Sequence, residues 1–146
     1  MERFKPKIDK LFWIIFVPTF VLLAITTTIV CIYPEPAAII ITVAVDLVLI
    51  YFFVSPLFGY AELRRESLYI KYGFFMSREI PYDKIREFKK ERKLYSESMM
   101  SLKNAIEHVN IKYNKFDVTT ISVVNNDTFI RRLRERIFAY KNTYQV

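Results

Sequence analysis

Asp46 is an ionisable residue in an apolar stretch, which makes it the most unusual polar residue of this sequence. It lies near the middle of a long apolar run, where an acidic side chain costs about 3 kcal/mol to insert into a membrane. When this run folds back on the apolar run before it, Asp46 comes level with Ala24 and close to Thr27 and Thr28. We predict a hydrogen bond between Asp46 and one of these two hydroxyls. The alternative is a proton or ligand site within the membrane.

The other reactive side chains form no catalytic pattern. His108 is the sole histidine, and the sole cysteine, Cys31, lies in the first apolar run, which leaves no ligand set for zinc. The remaining candidates have neither the spacing of a nucleophile with its base nor that of an acid/base pair: Ser96, Ser98, Ser101, Asp83, Glu87 and Glu107. We therefore expect no enzyme activity, no cofactor and no metal.

The run KIREFKKERK at residues 84–93 is the densest concentration of positive charge. Near an anionic inner leaflet, each basic residue contributes about 1 kcal/mol of attraction. The alternative is a solvated strand face with local charge pairing to Glu87 and Glu91. Nucleic-acid binding is not expected, because the run lacks interleaved surface aromatic residues and no recognition motif accompanies it. The candidate surface-contact residues are Lys84, Arg86, Lys89, Lys90, Arg92 and Lys93.

Met99 and Met100 stand together in a polar, serine-rich stretch, residues 94–104, that has no periodicity and is predicted to be a loop. Adjacent flexible apolar side chains can form an adaptable contact surface for a partner. Alternatively, they fold back to cover the open end of the following domain. The sequence supports both interpretations.

Two long apolar runs, residues 11–33 and 37–57, must position Asp46. At about 1.5 Å per residue, a helix of either length crosses a hydrocarbon core of roughly 30 Å. Pro34 and Pro36 break the helix between the runs, so the chain is predicted to cross and return as a hairpin with its turn at 34–36. A cleaved signal peptide is the alternative for the first run. Its length and the second run directly after it argue against cleavage.

Positive charge predicts the orientation of the hairpin. Lys and Arg occur before residue 11 and after residue 57, and none lies in the turn. Because such residues favour the cytoplasmic side, we predict a two-span protein of the cell membrane with both termini cytoplasmic and the lipid bilayer as a partner. The chain then divides into a basic N-terminal segment at 1–10, the hairpin at 11–58 and a cytoplasmic domain at 59–146.

The cytoplasmic part has the pattern of a small sheet domain. Alternating apolar residues predict antiparallel strands, and Gly73 and Asn114 mark turns between them. After Asn125, apolar residues recur with helical spacing at Phe129 and Leu133, which predicts one C-terminal helix. The predicted fold class is α+β: an N-terminal transmembrane helical hairpin, then an antiparallel β meander or open barrel, capped by one helix.

The stretch LYIKYGFFMSREIPYDKIREFKK, followed by a polar loop, IEHVNIKY and NNDTFIRRL, resembles the bacterial pleckstrin-homology-like (PH-like) domains of small membrane proteins in Gram-positive bacteria. The resemblance covers residues 59–139. It is carried by the Tyr72-Gly73-Phe74 turn, the step at 80–85, and Phe129-Ile130 in the helix. It implies a PH-like fold placed after two spans. Phosphoinositide binding is not carried over, because the first hairpin loop is too short for a headgroup pocket.

These features predict a non-catalytic, membrane-anchored module for protein or membrane-surface contacts. The resemblance implies one specific use, immunity to a peptide bacteriocin, in which the hairpin or the domain shields a membrane target. The partner is then an unknown protein or a secreted peptide. The alternative is an accessory subunit whose hairpin packs against a larger transporter or channel through Asp46.

Overall fold

The computed structural model describes residues 2–95, 98 and 101–144. After a short first strand, these residues form two apolar helices, seven further strands that are mostly antiparallel, and a C-terminal helix, so the predicted fold class is confirmed. The elements are β1 (Glu2–Phe4), α1 (Lys10–Ile32), α2 (Pro36–Val54), β2 (Tyr60–Leu63), β3 (Ser67–Lys71), β4 (Ser77–Pro81), β5 (Ile85–Arg92), β6 (Ser101–Leu102), β7 (Glu107–Tyr113), β8 (Asp117–Ile121) and α3 (Asn126–Tyr144). Short 3₁₀ turns at Ser55–Phe58 and Tyr82–Lys84 follow α2 and β4.

The helices α1 and α2 are long and apolar enough to cross a membrane. The most apolar stretches within Lys10–Ile32 and Pro36–Phe58 have mean hydropathies of 2.4 and 2.7, and these stretches are not buried by the rest of the chain. The ring of Phe53 on α2 contacts Phe16 and Phe20 on α1, with centroids 6.0 and 6.3 Å apart. So large an exposed apolar surface indicates contact with lipid or protein rather than with water.

Two four-stranded sheets form the domain that follows the helices. The first has the order β1-β2-β3-β4 and is antiparallel throughout. The second has the order β5-β7-β8-β6, in which β6 runs parallel to β8. Between β7 and β8, Asn114 adopts a φ of 50°, in the left-handed region that asparagine tolerates better than most residues. The turn predicted at this residue is therefore present.

The N-terminal segment, expected only as a basic stretch before the first apolar run, forms an edge strand of the first sheet. In this strand, β1, Phe4 lies opposite Ala61 of β2. The chain then crosses to the second sheet, where the backbone N–H of Asp9 donates to the carbonyl oxygen of Asn104 at 2.9 Å. The two apolar helices are thus inserted between the first and second strands of one domain.

The stretch predicted as a loop at 94–104 ends in a short strand, β6. Leu102 of this strand is fully buried, and its carbonyl oxygen accepts a hydrogen bond from the N–H of Ser122 at 2.8 Å. The loop prediction is wrong for Ser101 and Leu102. A strand of two residues is too short to show alternation, and it forms because β8 offers an unpaired edge.

The core lies between the two sheets and under α3. Phe129 and Leu133 of α3 are fully buried among apolar side chains of both sheets. Phe4 of β1 meets Phe129 edge to face, with ring centroids 5.2 Å apart. At the start of α3, the side-chain oxygen of Asn126 accepts a hydrogen bond from the N–H of Val123 at 3.0 Å. The predicted helix therefore closes the sheets, and β1 packs against its buried face.

Candidate interaction surfaces

Asp46 of α2 lies against α1 through a single hydroxyl. The Thr27 hydroxyl donates to Oδ2 of Asp46 at 2.8 Å. The Thr28 hydroxyl instead donates to the carbonyl oxygen of Ala24 in its own helix, at 2.6 Å. Among the described residues, the buried Oδ1 of Asp46 has no hydrogen-bond partner. One carboxylate oxygen thus joins the two helices, and the other has capacity for a further donor.

An open groove of about 520 Å³ runs beside Asp46 on the surface of the helix pair. Part of this groove is lined by small residues, which let helices approach each other closely. The residues that line it with Asp46 include Phe20, Ala24, Thr27, Cys31 and Ile50.

The basic residues predicted for surface contact do not form one cationic patch. Side chains leave a strand on alternating faces, and three of the six lie near carboxylates. Lys90 Nζ is 2.9 Å from Asp127 Oδ2. Lys93 Nζ and Lys89 Nζ lie 2.8 and 4.0 Å from the two carboxylate oxygens of Glu91. Part of the positive charge of the run is therefore balanced locally.

The other three basic residues of the run, Lys84, Arg86 and Arg92, are exposed. Arg86 reaches the turn between β7 and β8, where it donates to the carbonyl oxygens of Asn114 and Lys115 at 3.5 and 3.4 Å. Lys84 precedes β5 and Arg92 ends it, so the length of the strand separates them. This arrangement favours a solvated, locally paired face over a headgroup-binding cluster.

Met99 and Met100 lie outside the described residues. The neighbouring chain is held by Lys103, whose Nζ donates to the carbonyl oxygens of Lys93 and Tyr95 at 2.7 and 2.6 Å. Burial lowers the pKa of the Lys103 ammonium group, because desolvation disfavours its charged form. These two hydrogen bonds fix the residues that follow β5 against the segment that leads into β7.

His108 is fully buried on β7, and its Nδ1 lies 2.9 Å from the carbonyl oxygen of Ile106. Its Nε2 has no hydrogen-bond partner in the part of the chain that the structure describes. Burial lowers the pKa of the imidazole. Within residues 2–95, 98 and 101–144, no group of three or more His, Cys, Asp and Glu residues could hold a metal ion. The expected absence of a catalytic or metal site stays a prediction.

Glu62 is a buried carboxylate that ties β1 to the first sheet. Arg3 Nε of β1 donates to Glu62 Oε2 at 2.6 Å, and Arg64 Nε donates to Oε1 at 3.3 Å. The hydrogen bond from Arg3 holds the pKa of Glu62 below its ordinary value of 4.5, against the opposing effect of burial. The carboxylate is therefore ionised in the folded domain over a wider pH range than in the unfolded chain.

Glu62→Gln is expected to lower the melting temperature of the domain at neutral pH by about 4 °C. Because the folded-state pKa is depressed, the stabilisation by Glu62 is complete above pH 4.5 and is lost as the pH falls through the folded-state value. The difference between variant and wild type should therefore shrink below pH 4.5. Near-ultraviolet circular dichroism of the full chain in detergent measures the melting temperatures of variant and wild type as a function of pH. Asp83→Asn, at an exposed carboxylate, is the control, and a pH-independent difference would contradict the prediction.

The end of the domain next to the helices carries exposed apolar side chains that sequence reasoning did not single out as a surface. Phe74, Phe75 and Met76 occupy the turn between β3 and β4, and Leu94 and Tyr95 follow β5. Turns usually contain Gly, Pro, Asn, Asp and Ser. The sequence signal for this exposed surface was therefore the apolar run FFM at a predicted turn.

A family model described as Bacterial PH domain matches residues 60–137, from β2 into α3. No curated protein and no solved structure matches the chain. Domains of this kind are generally non-catalytic interaction modules. Because the match covers more than half of the 146 residues, the chain belongs to the bacterial PH domain family.

Proposed function

We propose that this protein is a membrane-anchored, non-catalytic module whose PH-like domain makes protein or membrane-surface contacts at the cytoplasmic face of the cell membrane. The observation that carries the proposal is the insertion of the apolar helices between β1 and β2. Both helix ends are tied to the same segment of the domain. The N–H of Ile106 donates to Asp9 Oδ2 at 3.2 Å, and Asn104 Nδ2 donates to the carbonyl oxygen of Pro56 at 3.4 Å. A hairpin in the membrane therefore holds the domain at its surface.

The excess of Lys and Arg outside the helix pair supports a cytoplasmic domain. Orientation is tested in a Cys31→Ala background that carries either Glu35→Cys in the outer turn or Phe116→Cys at the far end of the domain. A membrane-impermeant maleimide is expected to label position 35 in intact cells and position 116 only after lysis. The reverse pattern would contradict the orientation.

A more specific proposal is immunity to a secreted peptide bacteriocin. It rests on resemblance, because two spans before a PH-like domain are also the layout of the sublancin immunity protein. Expression of the full chain in a sensitive bacterium is expected to raise the peptide concentration needed for killing. A chain that lacks residues 2–8 lacks β1 and is expected to keep the hairpin without a folded domain. Its effect on killing therefore shows whether immunity needs the folded domain or only the hairpin. Unchanged killing across a peptide panel that includes sublancin counts against immunity.

A second candidate function is that of an accessory subunit of a transporter or channel. It is favoured by the buried Oδ1 of Asp46, which has no partner among the described residues and belongs to a side chain that lines the groove. A partner helix with a hydrogen-bond donor would fill the groove, and rotation of the Asp46 side chain would bring this oxygen to the donor.

This second function predicts a defined larger complex after extraction in a mild detergent, which Asp46→Leu should abolish. Thr26→Val is the matched control, because the Thr26 hydroxyl donates to the carbonyl oxygen of Leu23 within α1. Loss of the complex in both variants would point to general damage to the helix pair. A wild-type monomer that crosslinks to no other protein would rule the accessory role out.

A further inference from the structure

Two groups of exposed apolar side chains lie at the helix end of the domain. The first is the turn between β3 and β4, which we name the FFM tip and define as Phe74, Phe75 and Met76. The second, which we name the LY tip, consists of Leu94 and Tyr95 after β5. All five side chains are exposed, and Phe75 is 85% exposed.

The FFM tip lies alongside the last turns of the second apolar helix. The ring of Phe75 stacks on Tyr51 of α2, with centroids 6.0 Å apart and an interplanar angle of 16°. Phe74 contacts the same tyrosine at 6.3 Å and Phe58 at 5.0 Å. Tyr51 belongs to the segment that is apolar enough to span, Pro36–Phe58, so this tip reaches past the end of that segment and along its side.

The backbone around the FFM tip is packed closely onto the end of α2. The hydroxyl of Ser55 accepts a hydrogen bond from the N–H of Phe74 at 3.0 Å. A Cβ atom on Gly73 would lie 1.9 Å from that same hydroxyl oxygen, so the glycine allows the approach. The position of the tip beside the helix is therefore fixed by the fold.

The LY tip lies beside the first apolar helix. Leu94 shares a hollow of about 180 Å³ with Leu11, Phe12 and Ile15 of α1. Trp13, at the same end of α1, is exposed. Trp and Tyr are the residues enriched at the membrane–water boundary, so Trp13 on α1 and Tyr51 on α2 mark the boundary that both tips approach.

We propose that the FFM and LY tips are embedded in the interfacial layer of the same bilayer that the helix pair crosses, so that the PH-like domain binds phospholipid directly. The proposal rests on the proposed membrane location of the helices. The lipid bilayer is the partner that fits, because the exposed side chains of both tips continue the apolar surfaces of α1 and α2. The turn at Asn114–Phe116 lies at the opposite end of β7 from Glu107, and residues 104 and 106, just before Glu107, are tied to the helix ends. The domain then stands in one orientation, with this turn directed away from the membrane.

Labelling of the full chain in vesicles tests this proposal. In a Cys31→Ala background, single cysteines replace Phe75, Leu94, Phe116 or Leu47 and carry an environment-sensitive fluorophore. The chain is reconstituted in phosphatidylcholine–phosphatidylglycerol vesicles and quenched with nitroxide-bearing lipid or with aqueous iodide. Phe116, which is 84% exposed, is the matched control for Phe75, and Leu47 on α2 reports whether the helix pair is inserted.

Labels at positions 75 and 94 are expected to be quenched several-fold more by nitroxide lipid than the label at position 116, with blue-shifted emission. Iodide quenching of 75 and 94 equal to that of 116, with 47 shielded, would overturn the embedding of the tips and leave the membrane anchor standing. Iodide quenching at 47 would overturn the anchor and this proposal together. Shielding of 75 and 94 in cell membranes but not in protein-free vesicles would assign the tips to a protein partner and overturn lipid binding.

Discussion

Removal of residues 2–8 is expected to unfold the PH-like domain while both apolar helices remain helical. The deletion exposes the edge of β2 and the inner surface that Phe4 covers. Truncation of a fully buried Phe costs about 3–5 kcal/mol, and Phe4 is only half-buried, so its loss accounts for about 2 kcal/mol. Glu62 also loses its hydrogen bond from Arg3. Domains of this kind have total stabilities of about 5–15 kcal/mol, and the loss of the whole strand removes much of that margin.

Limited trypsin digestion of the full chain in detergent measures this effect, because Lys and Arg are frequent in the strands. Cleavage between β3 and β8 is expected in the deletion variant and not in the wild type. The variant Lys5→Ser is the control, since it removes an exposed charge of the deleted segment and keeps the backbone pairing. Equal resistance of the deletion variant and this control would show that β1 is not needed to keep the domain folded.

The converse experiment removes the helices and keeps the strand. Residues 1–9 joined to residues 59–146 by a short glycine–serine linker are expected to form a soluble, folded domain. Residues 59–146 alone are expected to be unfolded or aggregated, because the edge of β2 lacks its partner. Folding of the shorter chain to the same stability would contradict the structural role of β1.

Phe129→Ala is expected to destabilise the domain by about 3–5 kcal/mol and to lower its melting temperature by about 15 °C or more. Phe129 is fully buried and packs against apolar side chains of both sheets and against Phe4. Its removal therefore leaves a cavity where α3 meets β1. The measurement is thermal unfolding of the full chain in detergent, followed by near-ultraviolet circular dichroism.

Phe138→Ala is the matched control for Phe129→Ala, because it removes the same side chain from the same helix at a position that is 66% exposed. Its effect is expected to lie within about 0.5 kcal/mol of zero. Similar losses in the two variants would mean that α3 contributes through its helical propensity and not through packing. A loss only at Phe129 supports α3 as the helix that closes the two sheets.

Much of the fold is predictable because its signals are local. The helices α1 and α2 follow from apolar length, and most strands follow from alternation over several residues. The strands β1 and β6 were missed because they contain three and two residues, too few to show a period. They become strands because β2 and β8 offer them unpaired edges, and β1 meets its partner only across the whole helix pair.

The hydrogen bond between Thr27 and Asp46 shows what local sequence patterns cannot predict. Folding the hairpin about its turn leaves Thr27 and Thr28 as the candidates for Asp46. Successive residues on a helix point about 100° apart, so only one of them faces α2. The rotation of α1 about its own axis decides that Thr27 donates to Asp46 and that Thr28 donates to its own backbone. The rotation of α1 cannot be predicted from the positions of these residues in the sequence.

By itself, the sequence determined the apolar hairpin, the α+β order of strands and closing helix, and the asymmetric distribution of charge, because composition and periodicity are properties of neighbouring residues. The PH-like fold followed from the resemblance to a family and not from these patterns. Only the tertiary structure decided that the N-terminal segment completes the first sheet and that the 84–93 basic run is partly paired. It also decided that Phe74, Phe75 and Met76 meet the end of α2. Each of these features depends on contacts between residues far apart in the chain, and such contacts stabilise the protein only after folding has offset the entropy of closing the loops between them.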